Sequence, residues 1–487
     1  MTTTLLLIFG LLIVIGTFAS KISSKFGIPV LLIFLGIGMF AGSGFLKLIE
    51  FNDYTLTRDF ANIALMFILF DSGFNTKRKS LKKYFGPSIT LATVGVAVTA
   101  ILLGILIHLL LNMDWLQSML IGAIISSTDA AAVMTIMRER PVKSHVSSTL
   151  EIESAANDPM AILLTTFMIN LVNKSGEIQT SQFLLLILQL AWQFAGGILV
   201  AKLLSKLAIW LFNHFGSGNQ AMFYVLYIGT VLTIYSSADF IKANGTIAVF
   251  FAGYWMGNSN FVFRRGLSHF ISGISTFANM FVFLLLGLLV EPQSMLKVWQ
   301  SGFILAAALI FVARPLTVLL CTLPFKFSLK DKLFITWGGL KGAVPIILAT
   351  YPAAFGLDKN GLIFNIVFFV VSLSCLLQGT TLSALAKKLK LSIPPKIHSP
   401  YSIELFALDK TDIDVIDIQI HENSPWYNRK LSQLMLPEDI VISSMVRDGK
   451  IHSPRGNTIF KDNDILFLMG KPDRISEIIN SCTLTDS

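Results

Sequence analysis

Ser126-Ser127-Thr128-Asp129 lies between the apolar runs Leu120-Ile121-Gly122-Ala123-Ile124-Ile125 and Ala130-Ala131-Ala132-Val133-Met134. Gly338-Gly339-Leu340-Lys341-Gly342-Ala343-Val344-Pro345 lies in a similar setting, between Phe334-Ile335 and Ile346-Ile347-Leu348. Each surround is apolar over the roughly 20 residues that a bilayer-spanning helix needs. At the centre of such a helix, glycine loses the most conformational freedom and proline supplies no N–H to the ladder. Both helices are therefore expected to break near the middle of the membrane. Broken helices bare backbone carbonyls and opposed half-helix dipoles, a setting suited to holding a small ion.

The rest of the chain agrees with a membrane setting. Its 487 residues are 54% hydrophobic and 14% charged, against about 45–50% and 25% in soluble proteins. With a mean hydropathy of +0.69, a water-soluble enzyme is excluded. Apolar runs between polar or Gly/Pro breaks number about thirteen. They cover 4–20, 28–46, 58–74, 86–112, 115–138, 146–172, 182–213, 220–238, 243–257, 268–290, 298–322, 330–355 and 360–386. The fold class expected is an all-α polytopic membrane protein with a small α+β C-terminal domain. The first run lacks a basic n-region and an A-x-A-like exit, so it reads as a retained helix, not a signal peptide. Cys321, Cys375 and Cys482 are too few and too far apart for a disulfide framework.

Charge divides the chain near residue 400. Residues 1–400 hold 29 Lys+Arg and 15 Asp+Glu, and 401–487 hold 9 and 14, so a basic membrane part is followed by an acidic tail. The net charge of +9 is thus no sign of nucleic-acid binding. Assigning alternate loops to the cytoplasm, beginning with Lys21 and Lys25, places 21 basic residues on that side and 6 on the other. Such an excess is what the positive-inside rule demands. The N-terminus is expected outside and the tail in the cytoplasm of a bacterial cell. The domains expected are a transmembrane part at 1–390, a linker at 391–400 and a tail domain at 401–487.

Ionisable side chains within the spans are Asp71, Asp129, Glu153, Asp158, Arg314 and Lys341, with Glu151 nearer a helix end. Each costs a few kcal/mol at membrane depth, on the order of 2.5–3.5 on insertion scales, unless it faces a partner or a cavity. Together they point to an ion or proton path. The two breaks stand seven helices apart, and an odd offset reverses orientation, as in an inverted repeat of helices 1–6 against 8–13. In Glu153-Ser154-Ala155-Ala156-Asn157-Asp158-Pro159, Ser154 shares a helix face with Asp158, and Glu153 with Asn157. A carboxylate, a hydroxyl and an amide can then converge beside the fifth helix, and Pro159 bends the sixth or opens its ladder.

Ser127-Thr128-Asp129-Ala130, Glu153-Ser154-Ala155-Ala156-Asn157-Asp158 and Gly338-Gly339-Leu340-Lys341-Gly342-Ala343 resemble the signatures of monovalent cation/proton antiporters. The resemblance is to the NhaP/NHE branch, closest to potassium/proton members with a cytoplasmic regulatory domain, and covers most of residues 1–390. It implies a homodimer in membrane lipid whose six-helix core moves against a dimerisation domain. It also implies Asp158 as the exchanging carboxylate, with Ser154, Asp129 and the Thr128 carbonyl as cation ligands. Asn157 stands where electrogenic relatives carry a second aspartate, Asp71 matches an acidic cavity position, and Glu153 would pair with Arg314 as a structural bridge. The family usually has arginine where Lys341 stands, and lysine keeps the charge but loses the planar fork.

These roles imply exchange by competition. Desolvation disfavours an unpaired Asp158 carboxylate, and either a proton or a monovalent cation neutralises it. Only a neutralised site crosses cheaply, so exchange is expected to be one for one. Oxygen ligands suit potassium, sodium and lithium alike, so a sodium(lithium)/proton antiporter is the alternative. A gated cation channel is a second alternative, disfavoured because no T-V-G-Y-G filter is present. Neither H-E-x-x-H nor G-x-S-x-G occurs, and neither an enzyme nor a resident cofactor is expected.

Beyond Ile393-Pro394-Pro395 the pattern becomes soluble. Strands are expected at 401–408, 415–420, 440–446, 450–453 and 465–469, with Asp448-Gly449 a hairpin turn. Ser424-Pro425 reads as the N-cap and first residue of a helix through Leu434, and a second helix is expected from Asp473. The order resembles the C-terminal lobe of RCK regulatory domains, without a G-x-G-x-x-G fingerprint before it. That resemblance implies pairing of tail domains and makes cyclic di-AMP or another nucleotide a candidate regulator, with His452, Arg455 and Asn457 as candidate contacts. The simpler reading is a dimerisation domain whose basic residues are only solvated.

Overall fold

The computed structural model describes residues 2–26, 30–42, 46–49, 51–129, 133, 142–173, 180–215, 219–358, 360–393, 414–434, 436–437, 439–471, 474 and 478. It divides into two compact units: Met1–Phe215 with Ala221–Ser259 and Leu267–Pro395, and Gly216–Gln220 with Asn260–Gly266 and Lys396–Ser487. Helices build the first, and a small sheet builds the second.

Every apolar run expected from the sequence holds a helix. In chain order these are α1 (Thr2–Phe26), α2 (Val30–Ala41), α3 (Tyr54–Asn75), α4 (Arg78–Thr90), α5 (Val96–Leu111), α6 (Trp115–Ile125), α7 (Ser144–Asn173) and α8 (Thr180–His214). There follow α9 (Gln220–Phe240), α10 (Gly245–Gly257), α11 (Arg264–Leu288), α12 (Pro292–Ala308), α13 (Arg314–Thr322), α14 (Leu329–Trp337), α15 (Ala343–Ala354) and α16 (Leu362–Lys388). Among the described residues, seven helical stretches are long and apolar enough to cross a membrane, and five shorter helices are apolar.

Local chemistry sets the helix starts. Asp53 caps α3 by accepting from the Leu56 N–H at 2.9 Å, and Asp114 caps α6 through Leu116 at 3.1 Å. Ser328 and Asp331 bond reciprocally as a capping box at the start of α14. Packing then draws the helices together. A β-carbon on Gly73 of α3 or Gly253 of α10 would strike the backbone of the facing helix, so glycine is what permits their close approach.

Both expected breaks are present. Within the fifth run α6 ends at Ile125, where Ser126 turns its hydroxyl back onto the Ala123 carbonyl at 2.6 Å. The twelfth is split by the non-helical residues 338–342 into α14 and α15. Pro345 falls in the first turn of α15, where its missing N–H has no ladder partner to lose. Pro159 leaves α7 continuous from Ser144 to Asn173. Two π turns, Leu91–Gly95 and Leu309–Ala313, interrupt the fourth and eleventh runs, the same seven-helix offset as the breaks. At matching positions beyond these turns stand Thr99 and Thr317, whose buried hydroxyls bond each other at 3.0 Å. Equivalent residues meeting each other is the geometry of an inverted repeat about its axis.

In the second unit, strands β1 (Asp414–Gln419), β2 (Val441–Arg447), β3 (Lys450–His452) and β4 (Ile465–Gly470) form an antiparallel sheet in the order β1-β4-β2-β3. Asp448 and Gly449, both at positive φ, make the tight turn between β2 and β3. Ile418, Ile420, Met445, Phe460, Leu466 and Leu468 are its buried core. Arg447 clasps the buried Asp464 carboxylate through Nε at 2.7 Å and a terminal nitrogen at 2.5 Å.

The helix expected from Ser424 to Leu434 is not formed. Turns occupy that stretch, with a single 3₁₀ turn at Leu431–Gln433 and Asn428 at φ +56°. Its backbone bonds instead to a distant segment, Asn428 to the Phe460 carbonyl at 2.9 Å and Leu431 to that of Thr458 at 3.0 Å. Long-range pairing outweighs the local helix signal. The strand expected at 401–408 lies outside the described residues. So does most of the helix expected from Asp473, of which Arg474 and Ile478 are described.

Candidate functional site

The two breaks touch. The Asp129 N–H, beyond the last turn of α6, donates to the Leu340 carbonyl at 2.7 Å. Lys341, on the next residue, is 1% exposed and sends its ammonium to the Ser126 and Ser127 carbonyls at 3.0 and 2.9 Å. A helix leaves its last carbonyls without intrahelical donors and carries partial negative charge there. Lys341 thus covers the end of α6 from the other broken helix. The role of this lysine, unassigned by sequence spacing, is cross-break capping, and a compact ammonium reaches two carbonyls as a fork would.

Asp129 lies at the opposite kind of helix end. A β-carbon on Gly342, the residue preceding α15, would collide with the Asp129 carboxylate. The carboxylate therefore packs against the start of α15, where the dipole favours negative charge.

Helix α7 supplies the third wall. Ser154 donates to the Thr128 carbonyl at 2.8 Å, and the Asn157 amide donates to the Thr128 hydroxyl at 2.6 Å. Thr128, Ser154 and Asn157 are all buried. Asp158 follows one residue on, close enough to Asp129 and Lys341 for their charges to act on it. The expected cluster of Asp158, Asn157, Asp129, Thr128 and Ser154 is thus brought together, with Lys341 added.

Glu153 and Arg314 meet behind it. Arg314 donates to the two Glu153 oxygens at 2.6 and 3.1 Å, with the side chains 4% and 1% exposed. Its guanidinium also reaches the Ile335 carbonyl at 3.3 Å, near the end of α14. Each half-helix C-terminus at the breaks is therefore covered by a cation. Gly339 is required here, because a β-carbon would run into that guanidinium.

Asp71 is placed differently. Its carboxylate accepts from Asn75 at 2.7 Å and from Ser272 at 3.2 Å, so its bonds run to α3 and α11 and not to the break. His452, Arg455 and Asn457 are all exposed: His452 pairs with Met445 in the hairpin, and the other two follow it. One contact carried no sequence signal. Tyr351 of α15 donates to Asn62 of α3 at 2.5 Å, a pairing across 289 positions that no local pattern announces.

With this geometry in place, comparison with known proteins is informative. Residues 9–388 match the model of the transmembrane sodium/hydrogen exchanger family, and residues 415–483 match the TrkA-C domain. The chain is 35% identical over 478 residues to the K(+)/H(+) antiporter NhaP2 of Shewanella sp. (strain ANA-3), covering 97% of this chain and 82% of that protein. It is 36% identical to the K(+)/H(+) antiporter NhaP of Alkalimonas amylolytica, with the same coverage. Among solved structures, the sodium proton antiporter MjNhaP1 from Methanocaldococcus jannaschii at pH 8 superposes with a TM-score of 0.66 at 25% identity, over 79% of this chain and 99% of that one.

Proposed function

The chain belongs to the sodium/hydrogen exchanger family and is a cation/proton antiporter, and we propose that it exchanges potassium for protons, one for one. The observation that carries the mechanism is the placement of Asp158 near Asp129, Ser127 and Lys341, on the helix whose Ser154 and Asn157 bond Thr128, where two broken helices touch. Asp158 is the exchanging carboxylate. Ser154, Asp129 and the Thr128 carbonyl are cation ligands, and Asn157 contributes polarity without a second titrating charge. A proton and a cation each neutralise Asp158, so they exclude one another, and the bare carboxylate is held back by desolvation. Glu153 and Arg314 serve as scaffold, and Asp71 guides ions toward the site from α3.

Potassium is favoured by relatives called K(+)/H(+) antiporters, which match the chain through its tail. Sodium remains the second reading, supported by the likeness to a sodium proton antiporter. The transmembrane part crosses the plasma membrane of a bacterial cell thirteen times, with the N-terminus outside and the tail in the cytoplasm. Two copies pair in lipid through the membrane part and the tails. The TrkA-C match supports regulation by the tail, with a nucleotide such as cyclic di-AMP as its signal.

Dissipation of a proton gradient in proteoliposomes tests the proposal, with potassium, sodium or lithium added to wild type and to Asp158→Asn. A potassium response lost in Asp158→Asn is expected. A response to sodium or lithium alone would overturn the selectivity, and retained exchange in Asp158→Asn would overturn the site.

A further inference from the structure

Hydroxyls in the helices of this protein usually return to their own backbone. Thr90, Thr93, Thr166, Thr230 and Thr322 each donate to the carbonyl four residues earlier, and Ser126 to the one three earlier. Such bonds satisfy a polar group that has no other partner at membrane depth. Ser127 does not follow them. It is 0% exposed, and its Oγ makes no bond of regular geometry to the protein, the Asp158 carboxylate being the acceptor it lies beside. Leaving a buried hydroxyl unpaired is costly, and such groups in native structures call for a reason.

The backbone supplies the cause. α6 ends at Ile125, so Ser127 lies beyond its last turn, in a stretch without regular structure. Its carbonyl is taken by Lys341 at 2.9 Å, which fixes the residue while leaving the side chain free to turn. The side chain lies beside the Asp158 carboxylate. Asn157, 1% exposed, also keeps its Oδ1 without a protein partner, because its amide nitrogen is committed to Thr128. The first of these two buried oxygens is thus beside the carboxylate proposed to carry the cargo, and the second is on the residue preceding it in the chain.

We propose that Ser127 Oγ is a ligand of the transported cation, a specificity-determining contact alongside Asp158. The inference rests on the antiport reading of the preceding subsection. A hydroxyl is suited to both halves of the cycle, since it can donate to the ionised carboxylate and turn its lone pairs to a cation when one enters. No charge is added, so the coupling of one cation to one proton is preserved.

The test compares wild type with Ser127→Ala, Ser127→Thr and the near-isosteric Ser127→Cys in proteoliposomes, using potassium and thallium(I) as cargo. Ser127→Ala should raise the cation KM about tenfold, as expected for a lost contact of ordinary hydrogen-bond strength. Its maximal rate should stay near that of wild type, and Ser127→Thr should restore the KM. Sulfur is a softer ligand than oxygen, so Ser127→Cys should shift preference from potassium toward thallium. A structural or water-filling role would not move that ratio. An active wild type, with unmoved KM in Ser127→Ala and an unmoved ratio in Ser127→Cys, overturns this assignment alone. If wild type exchanges no cation for protons, the antiport reading falls and the assignment falls with it.

Discussion

Replacing Glu153 by Gln separates scaffold from transport. The substitution keeps the volume and one acceptor but removes the charge opposite Arg314, whose side chain is 4% exposed. Two charge-assisted bonds, at 2.6 and 3.1 Å, lose their ionic partner while Arg314 stays buried. Breaking a buried pair from one side costs about 3–5 kcal/mol, because the remaining charge is uncompensated. The damage extends to α14, because the same guanidinium covers the Ile335 carbonyl at 3.3 Å. Thermal unfolding of purified protein in detergent, followed by tryptophan fluorescence, should report a loss of that order for Glu153→Gln. Leucine at both Glu153 and Arg314 should recover most of it, because an apolar pair leaves no charge to desolvate. Exchange per folded molecule should persist in the double substitution. If Glu153→Gln is as stable as wild type yet transports nothing, Glu153 is a transport group and the scaffold assignment is wrong.

Three further outcomes follow from the same geometry. Lys341→Met should destabilise the protein by about 2 kcal/mol or more, since each bond to a charged donor is worth about 1.5–3 kcal/mol before desolvation is deducted; Lys341→Arg should restore stability in the same unfolding assay. Gly342→Ala should lower exchange sharply with unchanged membrane insertion, because its β-carbon would displace the Asp129 carboxylate from the start of α15; wild-type rates in reconstituted vesicles would contradict that packing. Where Asp158 is mostly protonated, the cation KM should rise about tenfold for each unit of pH lowered, as mass-action competition for one carboxylate requires. The sign is fixed because protons occupy the cation's site, and a KM flat with pH in a titration series would disprove a shared site.

What the sequence revealed was mostly local. Ser126-Ser127-Thr128-Asp129 and residues 338–342 announce their breaks because glycine and polar residues at mid-span weaken a helix that has no water to satisfy its backbone. Asp448-Gly449 likewise declares its turn, and both residues take positive φ. Glu153 and Arg314, 161 positions apart, were joined through a family resemblance and not through spacing. Contacts set by the fold itself were hidden. No residue type marks the π turns at Leu91–Gly95 and Leu309–Ala313, and nothing near Lys341 says that its ammonium crosses to α6. In the tail, Ser424-Pro425 signals a helix start, yet backbone pairing with residues 456–460 claims that stretch.

The charges at the breaks account for why the cargo is obligatory. The ends of α6 and α14 carry partial negative charge, and each is met by a cation, Lys341 in one case and Arg314 in the other. Arg314 is balanced by Glu153, and the Asp129 carboxylate lies against Gly342, the residue between Lys341 and the start of α15. Counted by sign, Lys341 and Arg314 stand against Asp129, Glu153 and Asp158, which leaves the group one formal negative charge in excess. Asn157 beside Asp158 adds none. A site built this way carries one negative charge whenever it is empty, and desolvation opposes its crossing in that state. One proton or one monovalent cation brings it to zero. Both together would make it positive, and a divalent ion would do the same. On the proposed antiport reading, this single excess negative charge predicts one-for-one exchange, with no need for a gate that senses which cargo is bound. An aspartate in place of Asn157 should change that count by one, and proteoliposomes clamped at different membrane potentials would then show voltage-dependent exchange where wild type shows none.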